Sequence, residues 1–399
     1  MLFTAQTGSL VAGLLISLIQ ARWMEPAEMG RFAFCLAIIM VGGVFFEFGL
    51  FSAGARVLAL EHDSERQRRA LGALVILTAI VGLGFSSFIA AASWPIDAIF
   101  KKDVHWLLLG TAMLAFFQPF QYFIELGCQG LNRIRLLSVF QLLMSGTYLT
   151  MLAALTAARH LTAGLALGAY LTGIAVATIW TIGRLQPAFK GASPYVRTTI
   201  RQAREYGMNL YFARITGIAS SRADQLVIAY FLADAAPLGI YAIVQKFANP
   251  LAMLGRSVAL TRFRAFAQLA RVPGRLTRWN AAMLTSAALG LIIAGPLAIR
   301  ILFPKYSTGI NLLTPFALAN LFVGLFQPYN IFLTSHGRGA EVRNIAAAVA
   351  VASLLGLSIT VPRWGILGAA WTAAAVMALD YVLHLYYYQK FKGTLGSQE

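Results

Sequence analysis

Four basic residues, Arg214, Arg222, Lys246 and Arg256, fall inside apolar runs instead of in the connections between them. An ionisable group at such a position is costly and faces a cavity or a partner. Arg222 lies near the middle of the seventh run and Lys246 near the middle of the eighth. Arg214 precedes Arg222 by about two helical turns, roughly 12 Å along the axis, and the rotation of about 80° lets both face one side. Arginine suits phosphate because its planar fork donates two parallel hydrogen bonds, and lysine adds a compact point charge. The chemistry in prospect is therefore the reception of an anionic head group such as a diphosphate by Arg222, Lys246 and Arg214. The competing reading is that these cations pair internally with Glu47, Asp224 or Asp380, or snorkel to a surface. Asp224 sits about 200° from Arg222 on a helix and is not its natural local partner.

The elements that must position these residues are membrane helices. Of 399 residues, 59% are apolar and only 12% charged, with mean hydropathy +0.70. Soluble domains carry about 25% charge. Apolar runs near 20 residues recur along the chain, and backbone polar groups in lipid must be satisfied within helices. Twelve helices are expected, at 2–21, 32–55, 71–92, 104–126, 136–158, 163–183, 207–231, 237–258, 280–301, 308–333, 344–362 and 366–388. The first run reads as a retained span, with no basic flank before it. The charge of +17 does not imply nucleic acid, because the basic residues lie in short loops. Neither Cys35 nor Cys128 signals a pair or a metal site, and the five histidines are scattered. No phosphate-binding glycine loop and no catalytic constellation is present, so no enzyme activity and no cofactor is expected.

A repeat organises the chain. Phe117-Gln118-Pro119-Phe120 returns as Phe326-Gln327-Pro328-Tyr329, and the same shift lays Met29-Gly30-Arg31-Phe32-Ala33 over Leu238-Gly239-Ile240-Tyr241-Ala242. The fold expected is all-α and polytopic, with two six-helix bundles related by a pseudo-twofold axis along the membrane normal. The lobes are read as 1–183 and 207–388, joined by a basic linker at 184–206 and followed by a tail at 389–399. Twenty loop cations fall on one side and eight on the other, including Arg262 and Arg264 on the richer side. Both termini are thus expected in the cytoplasm.

The repeat also pairs Glu47 with Arg256, which suggests an ion pair between lobes that closes an inner gate. Asp224 and Asp380 are candidates to bind a coupling proton or sodium ion. Pro119 and Pro328 are expected to kink spans four and ten. Their neighbouring glutamines offer hydrogen bonds to sugar hydroxyls, or shape packing.

Several of these stretches resemble a known family. Ala21-Arg22 followed by Pro26, Gly30 and Phe32, then Phe48-Gly49-Leu50 with Ala55-Arg56, is similar to the opening of the polysaccharide-biosynthesis flippases of the MOP exporter superfamily. Asp224 with Leu238-Gly239-Ile240-Tyr241, Phe303-Pro304-Lys305-Tyr306 and Gly337-Arg338 fit the same pattern. The resemblance implies a two-lobed, MATE-like transporter in a bacterial inner membrane. It would flip an undecaprenyl-diphosphate-linked oligosaccharide between leaflets, alongside glycan polymerase or synthase partners. Its cationic cavity carries over only onto Arg222, Lys246 and Arg214. Many relatives have fourteen spans and a basic segment before the first, and this chain has neither. The rivals are a drug or organic-cation antiporter, which would want an acidic cleft, and a membrane-embedded glycan ligase or polymerase, which would want a larger catalytic loop. A non-transporting scaffold is the third.

Overall fold

A computed structural model describes residues 2–260, 269 and 271–395, and Arg262 and Arg264 lie outside them. The described residues are mostly helical and contain no strand. The chain divides into two compact units, Met1–Arg222 and Ala223–Glu399.

The first unit contains α1 (Leu2–Trp23), α2 (Pro26–Phe45), α3 (Leu50–Leu60), α4 (Ser64–Phe100), α5 (His105–Ala115), α6 (Gln118–Gly130), α7 (Ile134–Ala157), α8 (Ala163–Leu185) and α9 (Ser193–Gln202). A π-helical turn, Ala203–Gly207, leads into α10 (Met208–Phe231), which begins in this unit and ends in the second. Pro26 opens α2, where its missing N–H costs nothing. Glu28, in the same first turn, accepts the Ala163 amide at 2.6 Å and so ties the start of α2 to the start of α8. Asp63 caps α4 by accepting the Arg66 amide at 2.8 Å. With 37 residues, α4 is about 55 Å long, more than the hydrocarbon layer needs. Its first turns carry Arg66, Arg68 and Arg69 as exposed or half-exposed side chains.

Two expected spans are interrupted. The second stops at Phe45 and resumes at Leu50, because Phe48 and Gly49 adopt left-handed φ values of 47° and 71°. The reason is close packing: a Cβ on Gly49 would lie 2.5 Å from the Gly207 carbonyl carbon, and one on Gly207 would lie 2.3 Å from the Gly49 oxygen. The fourth span is two helices, α5 and α6, bent by 40°. That bend falls at Phe116 and Phe117, and Pro119 sits just after it in the first turn of α6. The apolar core of this unit joins Val44, Phe51, Leu74, Phe123 and Phe140. The basic segment 184–206 contains α9, which packs on α3 and α4 while Arg197, Arg201 and Arg204 remain exposed.

The second unit continues with α11 (Ala236–Leu260), α12 (Gly274–Leu302), a 3-10 segment (Pro304–Leu312), α13 (Leu313–Ser335) and α14 (Gly339–Leu395). Gly365, at φ 57° and ψ −140°, divides α14 into two arms. A Cβ on Gly356 would meet Thr372, and one on Gly368 would meet the Thr360 oxygen. Those pairs are symmetric about Trp364, so the arms run antiparallel and supply two passes. Pro328 lies inside α13 with no break. The Gly324 carbonyl that its ring leaves without an N–H accepts from Asn280 Nδ2 at 3.2 Å instead. Gly324 also lets α11 approach, since a Cβ on Gly255 would lie 2.4 Å from its Cα.

Seven helices are long and apolar enough to cross a bilayer, and the bent α5–α6 pair makes eight. With α1, α10 and α11, of 22, 24 and 25 residues, and the second arm of α14, the described helices supply twelve passes. The protein is an all-α, multi-pass membrane protein. Outward side chains such as Ile80, Leu83, Ile293 and Leu297 are exposed, as lipid-facing residues must be.

Candidate functional site: a charged seam in the first unit

Buried charge in the first unit gathers where α10 meets the end of α2 and the middle of α6. Glu47, in the break after α2, is fully buried. Arg214 of α10 brings its Nε to 3.3 Å from Glu47 Oε2. The contact is an ion pair by distance but not a hydrogen bond by direction, and both carboxylate oxygens of Glu47 lack a donor. Arg214 also lies over the Tyr122 ring, 4.8 Å from its centroid. Tyr122 in turn donates its hydroxyl to the Met40 carbonyl at 3.0 Å.

Along α6, Gln118 donates to Gln121 at 3.2 Å, and Gln121 donates to Glu125 at 3.1 Å. This ladder ends on the Glu125 carboxylate. Gln118 is fully buried, and its Oε1 has no partner. Two turns further along α10, Arg222 donates to the Met40 sulfur at 3.2 Å. Tyr211 anchors the start of α10 by donating to the Phe45 carbonyl at 2.6 Å. Arg214 and Arg222 therefore share one helix and line one seam of the first unit. A thioether is a weak acceptor, so the Arg222 fork retains most of its donor capacity.

The other expected site residues belong to the second unit. Asp224 accepts from Tyr241 at 2.8 Å and Gln245 at 2.9 Å, one turn apart on α11. Lys246 follows Gln245 and is half-buried. Arg256 is exposed. The sequence expectation joined Glu47 to Arg256; the cation that the structure shows beside Glu47 is Arg214. Asp380 is buried, and His384 Nδ1 lies 2.9 Å from its Oδ1 while making its hydrogen bond, also at 2.9 Å, to the Asp380 backbone carbonyl. The His384 ring stacks on Phe326 with centroids 4.8 Å apart, and its Nε2 is buried without a partner. No group of three or more His, Cys, Asp or Glu side chains fit for a metal occurs among the described residues.

Glu125, Tyr122 and His384 were missed in the sequence, although each leaves a trace. Glu125 is an ionisable residue inside the fourth apolar run, the same signal that marked Arg222. Asp380 and His384 stand four residues apart, one helical turn. Tyr122 leaves only its place three residues after Pro119, which does not separate it from a packing residue.

Residues 1–257 match the family described as polysaccharide biosynthesis protein. No curated protein matches the chain. Among solved structures, the chain resembles the lipid II flippase MurJ in an inward closed conformation, with TM-score 0.76, 13% identity, and coverage of 97% of this chain and 87% of that one. An inward-facing MATE-family multidrug resistance transporter of the MOP superfamily matches with TM-score 0.59 and 12% identity, over 96% of each chain. A MOP-superfamily transporter from Pyrococcus furiosus matches with TM-score 0.53 and 11% identity, over 99% of this chain and 94% of the other. At these identities the likeness concerns the fold. The family match spans well over half of the sequence, and the chain belongs to the polysaccharide biosynthesis protein family, with an all-helical fold similar to that of these flippase and transporter structures.

Proposed function

We propose that this protein flips an undecaprenyl-diphosphate-linked oligosaccharide from the cytoplasmic to the periplasmic leaflet of a bacterial inner membrane by alternating access. No covalent bond changes in that process. The observation that carries the reading is Arg222, a mid-helix guanidinium whose hydrogen bond goes to a thioether sulfur. A phosphate oxygen is a far better acceptor for it. Arg214, eight residues earlier, is held by Glu47 without directed hydrogen bonds, and a diphosphate supplies the directed acceptors that carboxylate does not. Family membership and the likeness to a structure named as a lipid II flippase support the same substrate class. Lys246 is the second-unit cation assigned to the head group.

The return step needs an energy source, and the Asp380–His384 pair supports a proton over sodium. One partner of this buried pair is an imidazole, which takes up a proton but does not bind sodium. Asp224, with two side-chain donors already on one oxygen, is the less available carboxylate.

The deciding experiment places purified protein in liposomes with the lipid-linked glycan on one leaflet and measures its exposure to a glycan-cleaving enzyme on the other. Arg222→Ala should slow transfer by at least about tenfold, as expected from losing a charged hydrogen bond. Undiminished transfer by a folded Arg222→Ala protein rules the reading out.

A further inference from the structure

One charged group of the first-unit seam has no part in holding phosphate. Glu125 is a carboxylate on α6, a helix packed by α2, α3, α4, α7 and α8 and so placed inside the unit, away from lipid. A carboxylate at such a position is costly and faces water or a ligand. Glu125 makes no ion pair among the described residues. Its one hydrogen bond there comes from Gln121, at 3.1 Å to Oε1. Gln121 is held in turn by Gln118, so the ladder fixes the carboxylate through one oxygen. The other oxygen, unlike both oxygens of Glu47, is not shut away in the packing. Water occupies it in the resting seam, and a ligand reaches it by the same path.

The neighbours of Glu125 say which part of a ligand that is. Tyr122 precedes it by three residues on the same face of α6, and Arg214 lies over the Tyr122 ring. Glu125 is therefore about one helical turn from the ring that carries the Arg214 guanidinium. Met40, Arg214 and Arg222, like Glu125, are half-buried, so the seam is open along this line. A phosphate cannot settle on Glu125, because like charges side by side cost several kcal/mol. The carboxylate thus confines the diphosphate to the cations of α10. The group bonded to that diphosphate is a sugar, rich in hydroxyl donors, and a carboxylate is a strong acceptor for them.

Building on the proposed flipping of a diphosphate-linked glycan, we propose that Glu125 is a sugar subsite. It accepts from hydroxyls of the sugar next to the diphosphate and sets the register of the head group by repelling the phosphates. Substrate choice then has two parts: α10 reads the diphosphate, and the end of the α6 ladder reads the first sugar.

The test is a competition measured by native mass spectrometry on the purified full chain. The two probes are undecaprenyl diphosphate and undecaprenyl diphosphate carrying a single hexose, gluco or galacto. Wild type should retain one of the hexose lipids about tenfold more strongly than the bare diphosphate, the scale of one charged hydrogen bond. Glu125→Gln keeps an acceptor for Gln121 but loses the charge, and should cut that preference to about threefold, since a neutral hydrogen bond is roughly half as strong. Glu125→Leu should abolish the preference. Because Glu125→Leu also strips the acceptor from Gln121, Glu125→Gln is the variant that separates recognition from folding. Arg222→Ala should instead weaken retention of bare and hexose lipids alike. Equal retention of all probes by wild type, or a preference untouched by Glu125→Gln, overturns the sugar subsite and leaves the flipping function standing. Undiminished retention of every probe by Arg222→Ala overturns the flipping function, and the subsite with it.

Discussion

Arg214 and Glu47 form a pair in which the carboxylate is fully buried and the arginine partly exposed, 3.3 Å apart and without a directed hydrogen bond. Breaking a buried pair leaves one charge uncompensated, at a cost of about 3–5 kcal/mol. Arg214→Gln and Glu47→Gln should each lower unfolding stability by an amount of that order, with Glu47→Gln the milder because the side chain of Arg214 is 19% exposed. The double variant should be more stable than the sum of the two losses predicts. Additive losses in a denaturation cycle mean that the two side chains do not interact.

Gly49 and Gly207 meet backbone to backbone, and neither leaves room for a methyl group. Gly49→Ala and Gly207→Ala should each cost about 1–3 kcal/mol, and Gly49→Ala more because its φ is positive. Gly110→Ala is the control, since nothing lies within 4 Å of an added Cβ there. It should be neutral or slightly stabilising, since alanine favours a helix interior over glycine by about 0.5–1 kcal/mol. Thermal unfolding of the three proteins in one detergent tests the order.

The hairpin of α14 depends on Gly365, whose φ of 57° and ψ of −140° lie where side chains other than hydrogen are strained. Gly365→Ala should destabilise the protein by about 1–3 kcal/mol even though its Cβ meets no neighbour. Proteolysis near the turn is a local readout. Unchanged cleavage and unchanged melting mean that the turn tolerates a side chain.

If a proton on the Asp380–His384 pair drives return, Asp380→Asn and His384→Gln should flatten the dependence of liposome transport on an imposed pH gradient. Binding of the lipid-linked glycan should change less than twofold, well under the 1.4 kcal/mol that a tenfold change represents. Transport that still follows the gradient in both variants removes the pair from the coupling role.

Much of this architecture was legible in the sequence, for physical reasons. Hydrocarbon demands helices of bilayer length, so composition and run length located the passes. The position of Arg222 inside a helix was equally visible, because any ionisable residue in such a run stands out. The break at Phe48 and Gly49 was not, since it exists to bring Gly49 against Gly207, more than 150 residues away. Proline guides bending in one span and not the other. The bend at Phe116 and Phe117 falls in the turn before Pro119, where the proline ring acts on the preceding helix, whereas at Pro328 a side chain from α12 makes good the missing hydrogen bond.

By itself the sequence determined that the chain crosses a membrane many times and that it carries cations inside apolar helices. Local composition is enough for that, because the solvent of each segment follows from its apolar content. Tertiary structure alone decided that Glu47 answers Arg214, that Asn280 answers Pro328, and that Arg222 donates to a sulfur atom. Those outcomes depend on which faces of distant helices meet, and side-chain partners across helices are chosen by packing, which no single segment encodes.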